Sequence, residues 1–116
     1  MTKRSQIAAR ITASFLILLT LAAVLRPASA GQKAPPKTFN IAIKGFKFNP
    51  EKLEVAVGDT VIWTNEDIVP HIVAADKFHS KSMDKGESWS FRPKQKGEFP
   101  YICGFHPTMK AELVVH

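Results

Sequence analysis

No apolar run in this sequence reaches the roughly 20 residues that a membrane-spanning helix needs. The longest, Ile11–Leu25, is fifteen residues long; it follows Lys3, Arg4 and Arg10 and precedes Ala28-Ser29-Ala30. A basic start, a short apolar stretch and a small-residue cleavage site, in that order, predict an export signal over residues 1–30, cut after Ala30. Such a chain keeps no membrane anchor once the signal is gone, and no cysteine stands near the cut to carry a lipid. Lys3-Arg4 is not a twin-arginine pair, so the chain is expected to cross unfolded and to reach the periplasm.

Charge of one sign is also scarce. The 116 residues carry sixteen Lys and Arg against ten Asp and Glu, but four of the basic ones belong to residues 1–30. The 86 residues after the cut hold twelve against ten, a balance too even to argue for nucleic acid as a partner. That length makes one small domain with a thin core.

Missing too are any amphipathic helical stretch and any internal repeat. Residues 31–37, with Ala34-Pro35-Pro36 among them, have no apolar period and read as a flexible lead-in. From residue 38 to 116 the period is two. Phe39, Ile41 and Ile43 alternate, and after Gly45 the pattern continues through Phe46 and Phe48 to a turn at Asn49-Pro50. Leu53, Val55 and Val57 alternate again; Gly58-Asp59, followed by β-branched and aromatic residues from Thr60 to Thr64, predicts a hairpin. Ile72–Ala74, Trp89 with Phe91, Phe99 to Cys103, and Lys110 to Val115 supply further strands. About seven short strands without a helix predict an all-β, Greek-key β-sandwich.

The single cysteine, Cys103, cannot form an intramolecular disulfide, and a leftover thiol in an oxidising compartment calls for a role. A buried free cysteine is often only a small hydrophobe. Here it opens the loop Cys103-Gly104-Phe105-His106-Pro107-Thr108-Met109, which puts a thiolate, an imidazole and a thioether at i, i+3 and i+6. Two His, one Cys and a weak axial Met select copper for electron transfer, so the loop lacks one imidazole. His71, directly after Pro70, is the candidate. Zinc also accepts two His and a Cys, but the Irving–Williams order favours Cu(II), and an axial Met is of little use to zinc. His79 and His116, in a polar connection and at the chain end, read as solvated.

The segment from Gly58 to His71, containing Trp63-Thr64-Asn65 and Pro70-His71, followed by Tyr101-Ile102-Cys103-Gly104-Phe105-His106-Pro107-Thr108-Met109, resembles the small blue copper proteins, the cupredoxins. Within that family, the two-residue gap between His106 and Met109 is similar to that of the amicyanins. The likeness runs from about Phe39 to Val115. It implies one copper per chain, with His71, Cys103 and His106 as strong ligands and Met109 as a long axial one. It also implies that His106 shows its ring edge through an apolar patch, for which Phe105, Pro107 and Pro70 are available. Two residues depart from the family pattern. Ile72 stands where many members have a polar side chain that ties the ligand loops together. Phe105 stands where amicyanin has proline, and keeps an N–H for the Cys103 sulfur.

The resemblance implies a soluble periplasmic one-electron carrier and not an enzyme. The expected partners are redox proteins such as a c-type cytochrome, a dehydrogenase or an oxidase or reductase, met by a monomer. The alternative is a periplasmic copper-binding or trafficking protein. Such carriers favour Met-rich or His-rich exposed sites, and three Met, one the initiator, do not supply one. A multicopper enzyme needs more paired imidazoles than four His provide.

Overall fold

The computed structural model describes residues 22–24 and 31–116, and nearly all of the expected export signal lies outside them. Among the described residues there are eight strands: β1 (Thr38–Ile43), β2 (Phe48–Asn49), β3 (Lys52–Val55), β4 (Thr60–Asn65), β5 (Val73–Ala75), β6 (Ser88–Phe91), β7 (Gly97–Cys103) and β8 (Lys110–Val115). They form two four-stranded sheets, in the orders β2-β1-β4-β6 and β3-β8-β7-β5. No helix of the described residues is long and apolar enough to cross a membrane.

The period-two pattern explains why these segments are strands with one buried face. Ile41 and Ile43 of β1, Val61 and Trp63 of β4, Tyr101 and Cys103 of β7, and Leu113 and Val115 of β8 all point into one core. Fully burying one such large apolar side chain is worth about 1.5–3 kcal/mol. Trp63 anchors the centre. Its Nε1–H donates to the Tyr101 hydroxyl at 3.2 Å, and its ring lies 5.5 Å from that of Trp89. Burial pushes the Tyr101 hydroxyl up to about 12, against the opposing bond from Trp63, so it stays a neutral brace two residues before Cys103.

The β3–β4 segment differs from the hairpin that its turn residues predict. β3 pairs in parallel with β8, Leu53 opposite Leu113, whereas β4 pairs in parallel with β1 and antiparallel with β6. The Gly58–Asp59 turn therefore carries the chain from one sheet to the other. Its anchors are distant in sequence: Val57 N–H donates to the His116 carbonyl, Gly58 N–H to that of Pro93, and Thr60 N–H to that of Lys37. The strand count rises to eight because the chain between Gly45 and Pro50 makes its own short strand, β2, on the edge of β1.

Asp59 fastens that crossing by accepting the N–H groups of Lys37 and Ala56, each at 2.8 Å. The Lys37 bond first, then the Ala56 bond, hold its carboxyl below the ordinary carboxylate range against the effect of burial. A carboxyl whose folded pKa is depressed gives stability that is present above its unfolded pKa of about 4 and lost as the pH falls through the folded value. Asp59→Asn is therefore expected to melt below wild type at neutral pH, with the gap closing in strong acid. Thermal melts across that range check it; a gap that stays constant with pH contradicts it.

Candidate metal centre

The site is built from two loops at one end of the sandwich, and buried Asn65, the last residue of β4, shapes the first. Its Nδ2 donates to the carbonyls of Val69 and Met83, at 2.8 and 2.9 Å, and its Oδ1 accepts the Asp67 N–H at 2.9 Å. The loop is thereby folded back, and His71 forms a backbone bridge with Met83 through two hydrogen bonds. The second loop leaves the end of β7. Cys103 is paired across the sheet with Val73, and Cys103 N–H donates to the Met109 carbonyl. His106 N–H then donates to the Cys103 carbonyl and Met109 N–H to the His106 carbonyl, which winds the loop into consecutive tight turns.

These loops bring three of the expected side chains together. His71 Nδ1 lies 3.5 Å and His106 Nδ1 3.6 Å from Cys103 Sγ. All three donor atoms lie within 4.8 Å of one another. His71 and Cys103 are fully buried and His106 is half-buried. Imidazole and thiolate donors sit about 2.0–2.3 Å from a first-row metal, so at trigonal angles they lie roughly 3.7 Å apart. The observed spacing fits that set. Met109 faces Cys103 at the continuation of the β7–β8 register, and it too is buried, at 4% exposure.

Two residues that the sequence did not single out complete the arrangement. Asp67 Oδ2 lies 2.9 Å from His71 Nε2, and its carboxylate also accepts the N–H groups of Gly45, at 2.7 Å, and Phe46, at 3.0 Å. Burial works against ionisation of Asp67, but the Phe46 and Gly45 bonds and the His71 contact more than offset it, leaving the carboxyl below its ordinary range. An ionised carboxylate only accepts, so His71 carries its proton on Nε2 and turns the lone pair of Nδ1 toward Cys103. Phe46, held by the same carboxylate, has φ of 56°. A non-glycine residue there costs about 1–3 kcal/mol. A hydrogen bond to a charged group contributes about 1.5–3 kcal/mol, and Phe46 adds perpendicular ring contacts with His71, at 5.5 Å, and His106, at 5.0 Å. The strained turn is thus tied to both imidazoles.

The family profile of the cupredoxin-like domain matches residues 14–115. This chain belongs to the cupredoxins. Amicyanin-alpha of Methylorubrum extorquens is 30% identical to it over 98 residues, covering 74% of this chain and 78% of that protein. A reduced amicyanin with a proline-to-phenylalanine substitution matches its structure with a TM-score of 0.63 at 31% identity, over 68% of this chain and 82% of that one. A purple cupredoxin from Nitrosopumilus maritimus matches with a TM-score of 0.64 at 28% identity, over 67% of this chain and 99% of that one. In this cupredoxin, as its family and donor set show, His71, Cys103 and His106 form the seat of one copper per chain.

Both departures from the family pattern have structural answers. Where the cupredoxin has Ile72 in place of a polar tether, the loops are joined through the backbone: Gly104 N–H donates to the Ile72 carbonyl at 3.1 Å. The hydrogen bond expected from the Phe105 N–H to sulfur is not formed. Among the described residues the hydrogen-bond contacts of Cys103 Sγ are the two imidazoles. In the turn closed by His106 N–H on the Cys103 carbonyl, Phe105 is an inner residue, and its side chain is left 50% exposed. Pro70 and Pro107 are exposed as well, and so are Phe46 at 50% and Ile68 at 84%. His79 and His116 lie outside the centre: His79 is exposed with Nδ1 on the Ser80 carbonyl, and exposed His116 lies 3.7 Å from Glu54.

Proposed function

We propose that this cupredoxin is a periplasmic, soluble one-electron carrier with a type 1 copper, in which His71, Cys103 and His106 are the strong ligands and Met109 the weak axial one. The observation that carries the reading is the convergence of two imidazole nitrogens on one fully buried thiol, at 3.5 and 3.6 Å. When bound, copper supplies a centre that takes up and releases one electron at a time. The chain's own residues do the rest. Asp67 fixes the His71 tautomer, and the Cys103–Met109 and His106–Cys103 backbone bonds hold the second loop, so the chain's own hydrogen bonds hold the donors in place. Burial of Cys103 and His71 keeps water from the centre, while half-buried His106 gives electrons a short way to the surface. The exposed apolar side chains on the ligand loops, Ile68, Pro70, Phe105 and Pro107, offer a docking face for a redox protein such as a c-type cytochrome, a dehydrogenase or an oxidase or reductase.

On this reading residues 1–30 are a cleaved export signal, residues 31–37 a lead-in and 38–116 the working domain of a monomer, which catalyses no reaction of its own. The test is electrochemical. Reversible one-electron voltammetry is expected of the copper-loaded protein, and Met109→Leu is expected to raise its reduction potential by withdrawing a donor that favours the oxidised metal. An unchanged potential contradicts axial ligation by Met109.

A further inference from the structure

A depression of about 280 Å³ lies beside the Cys103–Met109 loop, lined by Phe46, Lys47, Glu51, Thr108, Met109 and Lys110. Two ammonium groups against one carboxylate make it attractive to small anions, and neither Lys47 nor Lys110 has an ion-pair partner among the described residues. Its lining includes Met109, which is almost wholly buried and directly opposite Cys103. One residue borders both this depression and the imidazoles. The Phe46 ring lies 5.0 Å from His106 and 5.5 Å from His71, at 90° and 87° to them. Asp67 holds the Phe46 backbone in place through the same carboxylate that meets His71 Nε2.

We propose that Phe46 is the closure of the metal centre, keeping small anions that collect in the Lys47–Lys110 depression from reaching the donors and whatever they hold. The proposal deepens the carrier reading and rests on it for its purpose. An anion such as azide needs only to bring a nitrogen lone pair within bonding distance of an oxidised metal. A centre closed by an aromatic ring exchanges electrons through its edge and takes no small ligand. Ile68, an apolar side chain of the first ligand loop, is more exposed than Phe46 and carries no ring, so it serves as the control.

Phe46→Gly removes the ring and suits the backbone, because glycine adopts positive φ without strain. Phe46→Asn, also tolerant of that conformation, repeats the test should the glycine variant fold poorly. The first measurement uses the metal-free protein, so that it does not depend on copper. Iodoacetate alkylates the Cys103 thiolate, forming a C–S bond and releasing iodide. Its rate is expected to rise roughly tenfold or more in Phe46→Gly, as it does when a shielded thiol becomes accessible, and to be unchanged in Ile68→Ala. The second titrates the copper-loaded proteins with azide, followed by visible absorption and electron paramagnetic resonance. The wild type is expected to show no change, and Phe46→Gly a saturable new spectrum with a Kd at least roughly tenfold below any for wild type. If alkylation of Phe46→Gly and Phe46→Asn is no faster than that of wild type, Phe46 does not close the centre, whatever metal binds there. If alkylation quickens but the loaded wild type lacks a thiolate-to-copper band, the closure stands and the carrier reading fails.

Discussion

Cys103→Ala is expected to fold and to lose the copper centre. The core does not depend on the thiol: Trp63, Phe48, Ile41, Ile43 and Leu113 are all fully buried without it. Changing one small buried side chain falls in the range of about 0.5–3 kcal/mol that single substitutions commonly cost. The larger effect is on what copper does. A ligand that binds only the native state stabilises it by RT ln(1 + [L]/Kd), about 4 kcal/mol at a thousandfold excess over Kd. Copper is therefore expected to raise the melting temperature of wild type by several degrees or more, and that of Cys103→Ala by much less. Differential scanning calorimetry with and without copper checks this. An equal shift in the two proteins means that Cys103 is not a principal ligand.

Asp67→Ala is expected to weaken copper binding although Asp67 is no ligand itself. Its carboxylate joins His71 Nε2 to the N–H groups of Gly45 and Phe46, so its loss frees the ring, its tautomer and the neighbouring turn together. Losing such an outer partner of a metal-binding histidine typically costs about 10–100-fold in metal affinity. His71 is fully buried, so Nε2–H is also left without an acceptor, a penalty of about 1–3 kcal/mol for the metal-free protein. Asp67→Asn keeps a carbonyl oxygen as acceptor and is expected to fall between wild type and Asp67→Ala. Competition with a copper chelator gives the affinities, and equal values for wild type and Asp67→Ala rule out the proposed role.

The Cys103–Met109 loop was legible as a unit because its information is local. Cys103, His106 and Met109 sit within seven residues, and the turns that wind them together use hydrogen bonds between near neighbours. Most strands were legible for the same reason, since a half-buried strand writes its period into its own residues. The hairpin expected at Gly58–Asp59 shows where local rules end. Turn residues report that the chain reverses, but the sheet that each arm joins is decided by β8 for β3 and by β1 for β4, which no local pattern contains. Phe46 was misread through its neighbours. Phe46 and Phe48 have the spacing of a strand, yet positive φ at both Gly45 and Phe46 breaks the alternation, so Phe48 enters the core while Phe46 turns toward the imidazoles. Asp67 had a faint signal, a carboxylate four residues before a candidate ligand. Its function rests on Gly45 and Phe46, more than twenty residues upstream, and that meeting exists only in the fold.

The most direct test of the centre is the visible absorption spectrum of the oxidised, copper-loaded protein. Thiolate donation from Cys103 to Cu(II), with His71 and His106 completing the strong ligand set, predicts an intense charge-transfer band at one copper per chain. A protein that binds Cu(II) and stays colourless contradicts the account.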